Sequence, residues 1–329
     1  MRFGPIPLAE AEGAVLAHSL ALPEGRLRKG HVITAQDIAA LEAAGHAEII
    51  AARLEPGDLG EDAAAARLAR ALVPDPQAAG LTLGEATTGR VNLHAAAPGV
   101  LEVDAARIDA VNAVHPMITV ATLPRWKRLA PRAMVATVKI ISYAVPGEAL
   151  ERACAAAPGA LRAHGVRHAT AQLIETSVGE PPGDKGARSM GMRLERMGVE
   201  MLPGTVVAHE VAPLAEAIAA SPAEVVLVLT GSATSDLHDV APEALRAAGG
   251  TVTHFGMPVD PGNLLFFGTL GEKPVIGLPG CARSPALNGA DWVLERILCG
   301  VEVTPRDVMG MGVGGLLKEP PSRPRPRDR

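Results

Sequence analysis

The stretch EVVLVLTGSATSDLHDVAPEALRAAGG, residues 224–250, decides how this 329-residue chain is read. Val225 to Leu229 form an unbroken apolar run, the pattern of a strand covered on both faces in a parallel sheet. Small and polar residues follow from Thr230 to Asp239, and the period then turns helical in VAPEALRAA, closed by Gly249-Gly250. Strand, small-residue turn and helix in that order make half of a βαβ unit. Small residues at such a turn let backbone N–H groups approach an anion, and the helix start adds a positive field. A dianionic phosphate would gain about 1 kcal/mol from the helix dipole, with hydrogen bonds adding to it. The loop is neither a dinucleotide fingerprint nor a Walker A turn, because Gly231 stands alone and no Gly-Lys-Ser/Thr follows. Asp239 ahead of Val240-Ala241-Pro242-Glu243 also reads as ordinary helix-start chemistry, so the residues leave both roles open.

Outward from this stretch the same rhythm runs over 166–300. HATAQLIET reads as a buried strand, and Asp184 to Met197 as a helix stopped by Gly198. Glu210 to Ala220 and Val240 to Ala248 read as further helices, TVTHFG as a strand and NLLFFGTLGEKPVIGL as a hairpin. Ser284 to Leu298 reads as a closing helix. The alternation predicts an α/β fold, a three-layer α/β/α domain with a mostly parallel sheet. A second strand-to-helix turn, GLPGCARSP (277–285), repeats the logic of the first. Its Gly277 and Gly280 permit unusual backbone shapes, Pro279 stiffens the turn, Arg283 is a planar anion clamp and Ser284 an N-cap candidate. Two such turns at the ends of parallel strands form one crevice, where open α/β sheets bind ligands. Asp260, in the turn of MPVDPGNLLFFG (257–268), is a ligand candidate and equally an ordinary turn residue.

Residues 1–165 read as a mixed α+β region. Thr34 caps TAQDIAALEAAG with Asp37 three positions on, Glu61 to Leu72 is a second helix, and MVATVKIISYAV is the clearest strand. Residues 301–318 form a C-terminal extension, and the Pro/Arg-rich segment 319–329 reads as a flexible tail. The balance of 31 Lys and Arg against 36 Asp and Glu, a net charge of −5, argues against nucleic acid as partner. The small stock of four Phe, two Trp and one Tyr argues against base-stacking platforms too. Three cysteines without a CxxC pair point to a reducing, cytoplasmic setting, and no apolar run reaches the length of a membrane span. The histidines show no HExxH or paired ligand spacing, which argues against a structural zinc.

Four segments together resemble a known family, the molybdopterin-binding domain shared by molybdopterin molybdenumtransferase and molybdopterin adenylyltransferase. TGSATSDLHDVAPEAL (230–245) is similar to their Thr-Gly-Gly-x-(Ser/Thr) loop ending in an Asp before a Pro-Glu helix. GLPGCARS (277–284) is similar to the molybdenumtransferase's Gly-Leu-Pro-Gly-Asn-Pro-x-Ser, and MPVDPGNLLFFG to its Lys-Pro-Gly-Lys-Pro turn. DKGARSMGMRLERMG (184–198) is similar to the Asp-led helix after the first strand of both. The motifs fall in the family's order across 166–300.

The resemblance implies that Thr230, Gly231, Ser232 and Thr234 bind the pterin or its phosphate, with Gly277, Pro279, Gly280 and Ser284 completing the cradle. It makes Asp239 the acidic group essential to chemistry, holding Mg²⁺ as the metal ligand, and Asp184 a second catalytic carboxylate. It further implies a role in molybdenum cofactor biosynthesis: binding molybdopterin or its adenylylated form and assisting insertion or transfer of molybdenum from molybdate. The alternative it leaves is a non-catalytic molybdopterin carrier acting with a molybdenum cofactor nucleotidyltransferase or an apo-molybdoenzyme. Self-association into a homo-oligomer is also implied.

The chain departs from the family pattern at telling positions. Ser232 replaces the second Gly of the pair, Asp260 and Asn263 replace both lysines of the turn, and Cys281 replaces the Asn. Losing two positive charges weakens oxyanion binding there. LRKGHVITAQDIAALEAAGHAEI (27–49) resembles a stretch ahead of the molybdenumtransferase's pterin domain, but its Asn-Ser-Ala-Met-Asp-Gly segment is missing. The resemblance is therefore to a divergent, molybdenumtransferase-like branch.

Overall fold

Alternating strands and helices from residue 170 onward build a six-stranded mixed sheet, in a computed structural model that describes residues 1–260 and 262–317. The Pro/Arg tail expected at 319–329, Lys318 and Pro261 of the Asp260 turn lie outside the described residues. The chain divides into two compact units. One comprises Met1–Ala96, Leu101–Lys127 and Arg132–Ala163; the other comprises Ala97–Val100, Arg128–Pro131 and the chain from His164 onward.

The first unit is α+β and antiparallel. Arg2–Pro7 and Val15–Leu16 flank Glu48–Arg53 in one sheet, and Ile118–Thr122, Met134–Ile140, Arg90–Ala95 and Leu81–Leu83 form another. The helix Ala35–Ala43 begins at a capping box: Thr34 Oγ1 accepts from Asp37 N, and Asp37 Oδ2 accepts from Thr34 N at 2.9 Å. Helix Glu61–Leu72 buries Ala64, Ala65, Leu68, Ala69 and Leu72 on one stripe. MVATVKIISYAV is not one strand. It stops at Ile140, resumes as Ala144–Pro146, and leads into a helix, Gly147–Ala156, whose N-cap Pro146 carries no capping side chain.

In the second unit the elements are β1 (Thr170–Ser177), α1 (Lys185–Met197), β2 (Glu200–Ala208), α2 (Val211–Ala220) and β3 (Val225–Leu229). There follow α3 (Val240–Ala247), β4 (Thr251–Met257), β5 (Asn263–Leu270), β6 (Lys273–Leu278) and α4 (Gly289–Leu298). The sheet order is β2-β1-β3-β6-β5-β4. β2, β1, β3 and β6 are paired parallel, whereas β5 runs the opposite way and pairs antiparallel with both β6 and β4, because the tight Gly271 turn sends β5 straight back as β6. The sheet is thus mixed, with an antiparallel edge. Ile174, Val226, Val228, Phe266 and Val275 pack with Leu214 and Ile218 of α2 and Ala241 and Leu245 of α3. Each such side chain contributes about 1.5–3 kcal/mol by leaving water. No helix among the described residues is long and apolar enough to cross a membrane.

Two corrections concern the edges of the site. α4 starts at Gly289, not at Ser284; residues 280–283 form a single 3₁₀ turn instead. Asn288 is its N-cap, accepting from Ala290 N while its own N–H donates to Asp291 Oδ2 at 2.9 Å. The strand β2 was not legible, since MLPGTVVA carries Pro203 and Gly204. It lies at the sheet edge, where a missing N–H costs no ladder bond.

Candidate functional site

Three parallel strands open on one edge of the sheet, with β1 running two residues further, to Ser177. Glu175, Leu229 and Leu278 are register partners across β1, β3 and β6, so Thr176, Thr230 and Pro279 open the same carboxyl edge of the sheet. The loops that follow are tied together there. Gly231 N donates to Thr176 Oγ1 at 2.9 Å, and that hydroxyl also lies 2.8 Å from His209 Nδ1. A Cβ on Gly231 would stand 2.6 Å from the Thr176 carbonyl oxygen, so only glycine allows the loop this close to β1. Arg283 Nη2 reaches across from the second loop to the Thr230 carbonyl at 2.8 Å. Thr230 and Thr234 are buried, their hydroxyls 3.4 Å apart. Gly231 and Ser232 are exposed at the mouth, as is Gly280.

Asp239 is a helix cap as it stands. Its Oδ1 accepts from Val240 N at 2.7 Å and its Oδ2 from Ser235 N at 2.8 Å, closing the loop back on itself. Asp184 is largely exposed and pairs with Arg188, one turn along its own helix, at 3.0 Å. Among the described residues no group of three His, Cys, Asp or Glu is placed to hold a metal ion. Each Asp239 oxygen accepts one backbone N–H and keeps a further lone pair.

The second loop is held from beneath by a residue that sequence reasoning passed over. Arg193 of α1 is buried and ion-paired through Nε with buried Asp291 Oδ1. Its Nη1 donates to Ser189 and to the Ala282 carbonyl at 3.2 Å, and its Nη2 to the carbonyls of Ser284 at 2.9 Å and Ala286 at 3.0 Å. Those carbonyls therefore find their donors in a guanidinium rather than in helical N–H groups. This is why Ser284 caps no helix; its Oγ accepts locally from Ala286 N at 3.3 Å. Gly277 sits inside β6, where a Cβ would lie 1.8 Å from an atom of the Phe266 ring, so its smallness serves packing within the sheet. Asp260 N donates to Gly315 O at 2.7 Å, and its Oδ1 accepts from Leu317 N at 2.9 Å, fastening the C-terminal segment. Asn263 is buried and accepts from Leu265 N at 3.1 Å.

Glu175 is the second residue passed over. It is 7% exposed at the end of β1, and its Oε1 is buried without a hydrogen-bond partner. Burial pushes its carboxyl above the usual carboxylate range, against the opposing pull of Arg283. One signal was available: a lone charge at the sixth position of the otherwise uncharged strand TAQLIETS.

The architecture and the joined loops define an α/β unit whose loops meet at its strand ends. Residues 5–53, in the other unit, match a family model described as a domain of unknown function (DUF8806). No curated protein matches the chain. Among solved structures, it is similar to the molybdopterin biosynthesis MoeA protein from Pyrococcus horikosii, at 13% identity and a TM-score of 0.32, over 94% of this chain and 76% of that one. A CinA protein of unknown function from Thermoplasma acidophilum aligns at 16% identity and a TM-score of 0.24, over 35% of this chain and 90% of that one. At such TM-scores neither likeness carries an argument, and the functional reading rests on motifs and site.

Proposed function

We propose that the second unit binds molybdopterin, or its adenylylated form, at the carboxyl edge of β1, β3 and β6, and serves molybdenum cofactor biosynthesis by assisting molybdenum insertion or transfer. The observation that supports this most is the joining of the two family-like loops, Gly231 to Thr176 and Arg283 to the Thr230 carbonyl. In this reading Thr230, Gly231, Ser232 and Thr234 hold the terminal phosphate. Pro279, Gly280 and Ser284 wall the other side, and Arg283 offsets the ligand's charge. The positive end of α3 faces the same loop, which favours an anion. Asp239 shapes that loop through its two backbone bonds.

A specific observation favours the carrier reading beside the catalytic one. Asp260 and Asn263 stand where the resembled family has lysines, and both are committed to internal hydrogen bonds. Neither residue carries a positive charge, so molybdate gains little from them. In the carrier reading the partners are a molybdenum cofactor nucleotidyltransferase or an apo-molybdoenzyme.

One assay separates the two: the protein is incubated with adenylylated molybdopterin, Mg²⁺ and molybdate, and both nucleotide release and ligand retention are followed. Release with formation of metal-bearing cofactor is the expected result for the enzyme. Retention without release leaves the carrier, and absence of retention overturns both.

A further inference from the structure

The bond that anchors Gly231 to Thr176 is one link of a longer chain, and the far end of that chain is His209. This histidine directly follows β2, and its backbone N–H donates to the Ser177 carbonyl at 3.0 Å, which holds it beside the end of β1. Its Nδ1 lies 2.8 Å from Thr176 Oγ1, the hydroxyl that accepts from Gly231 N at 2.9 Å. Thr176 is fully buried, and among the described residues these two are the partners of its hydroxyl. A backbone N–H can only donate, so the acceptor open to the Thr176 proton is His209 Nδ1. The opposite tautomer, with the ring proton on Nδ1, would leave that buried O–H without an acceptor, a cost that decides between the two. The neutral ring therefore carries its proton on Nε2, and the bonds run in one direction, from Gly231 N–H to Thr176 O–H to His209 Nδ1. Beyond this anchor, the N–H groups of Ser232, Ala233 and Thr234 meet no acceptor among the described residues.

We propose that His209 is a positioning residue of the 230–239 loop. By taking the Thr176 proton it aims a lone pair of that hydroxyl at Gly231 N–H, and so sets the loop with the N–H groups of residues 232–234 open to a phosphate. The inference rests on the anion-binding part of the molybdopterin reading above, and it adds a residue from outside the family-like motifs. A hydroxyl rotates to suit its partners; with His209 in place, its direction is fixed. Aligned bonds also polarise one another, so each link of the chain is strengthened. A donor loop set in advance loses less freedom when the anion binds.

The test is calorimetric titration of the full chain with inorganic pyrophosphate. It compares the wild type with His209→Ala, His209→Asn, Thr176→Val and the double variant Thr176→Val/His209→Ala. His209→Ala is expected to weaken pyrophosphate binding roughly 5- to 10-fold. His209→Asn is expected to restore most of that loss, because its amide oxygen can accept the Thr176 proton in place of Nδ1. In the Thr176→Val background the loss of His209 is expected to cost nothing further, since the link it acts through is gone. Nitrogen NMR of the neutral ring is expected to show Nδ1 unprotonated and Nε2 protonated. Cooperative thermal unfolding establishes that each variant is folded. Four results would each overturn the role of His209 and leave the anion reading standing: unchanged affinity in His209→Ala, no rescue by Asn, an equal loss with and without Thr176, or a proton on Nδ1. Absence of pyrophosphate binding in the wild type overturns both.

Discussion

The two loops that end β3 and β6 open at the same level of the sheet, yet they are held by opposite means. The 230–239 loop is fastened at its margins, by Gly231 to Thr176 at one end and by the Asp239 carboxylate at the other. Between them Ser232, Ala233 and Ser235 to His238 are exposed. The 279–288 segment is fastened at its centre, where the buried Arg193 guanidinium meets the carbonyls of Ala282, Ser284 and Ala286 as well as Asp291. Although Thr234 is buried and the Leu237 carbonyl accepts from Arg246 Nη1 at 2.9 Å, this loop keeps several exposed residues available to a ligand. A loop held through its middle is a fixed wall. The difference teaches that one strand end supplies the contact and the next supplies the rigidity.

The sharpest way to break this comparison is Arg193→Ala. It leaves Asp291 as an unpaired buried charge and strips donors from Ala282, Ser284 and Ala286, an expected loss of about 3–5 kcal/mol in urea unfolding. A loss below 1 kcal/mol would mean that the second loop stands without its buried cation. Gly231→Ala comes next. The added Cβ, 2.6 Å from the Thr176 carbonyl, forces the first loop off β1. The expected cost is about 1–3 kcal/mol, with weaker pyrophosphate binding in a titration of the same variant. Unchanged stability and binding would show that the loop's anchorage to Thr176 is dispensable. Asp239→Ala is the smallest. Loss of a helix cap costs about 0.5–2 kcal/mol and leaves the fold intact by circular dichroism. A global loss of helix would assign Asp239 a larger part than closing one loop.

Much of this unit is legible in the sequence. α1 and α3 announce themselves by Gly198 in the left-handed conformation and by Asp239 at a helix start. β3 shows as VVLVL, buried throughout. Other elements were not legible. β2 hides behind Pro203 and Gly204, which exclude a central strand but are tolerated at an edge, and edge position is a property of the assembled sheet. The stretch 284–287 reads as helix because Ser284 resembles a cap. Asn288 and Asp291 form a complete box, and Arg193 claims the carbonyls ahead of it. Arg193 itself lies 89 residues before the carbonyl of Ala282, a separation that no local pattern spans.

The sequence by itself determined the alternation of strand and helix, the small-residue turns and the charge balance, because propensity, periodicity and turn chemistry act over a few neighbouring residues. Only the tertiary structure decided that Glu175, Leu229 and Leu278 share one level, and that Gly277 lies tight against the Phe266 ring. It alone turned two unremarkable charges, Arg193 and Glu175, into a buried pillar and an unsatisfied acceptor. Strand register and burial arise when distant segments pack, and burial is what makes a charge consequential.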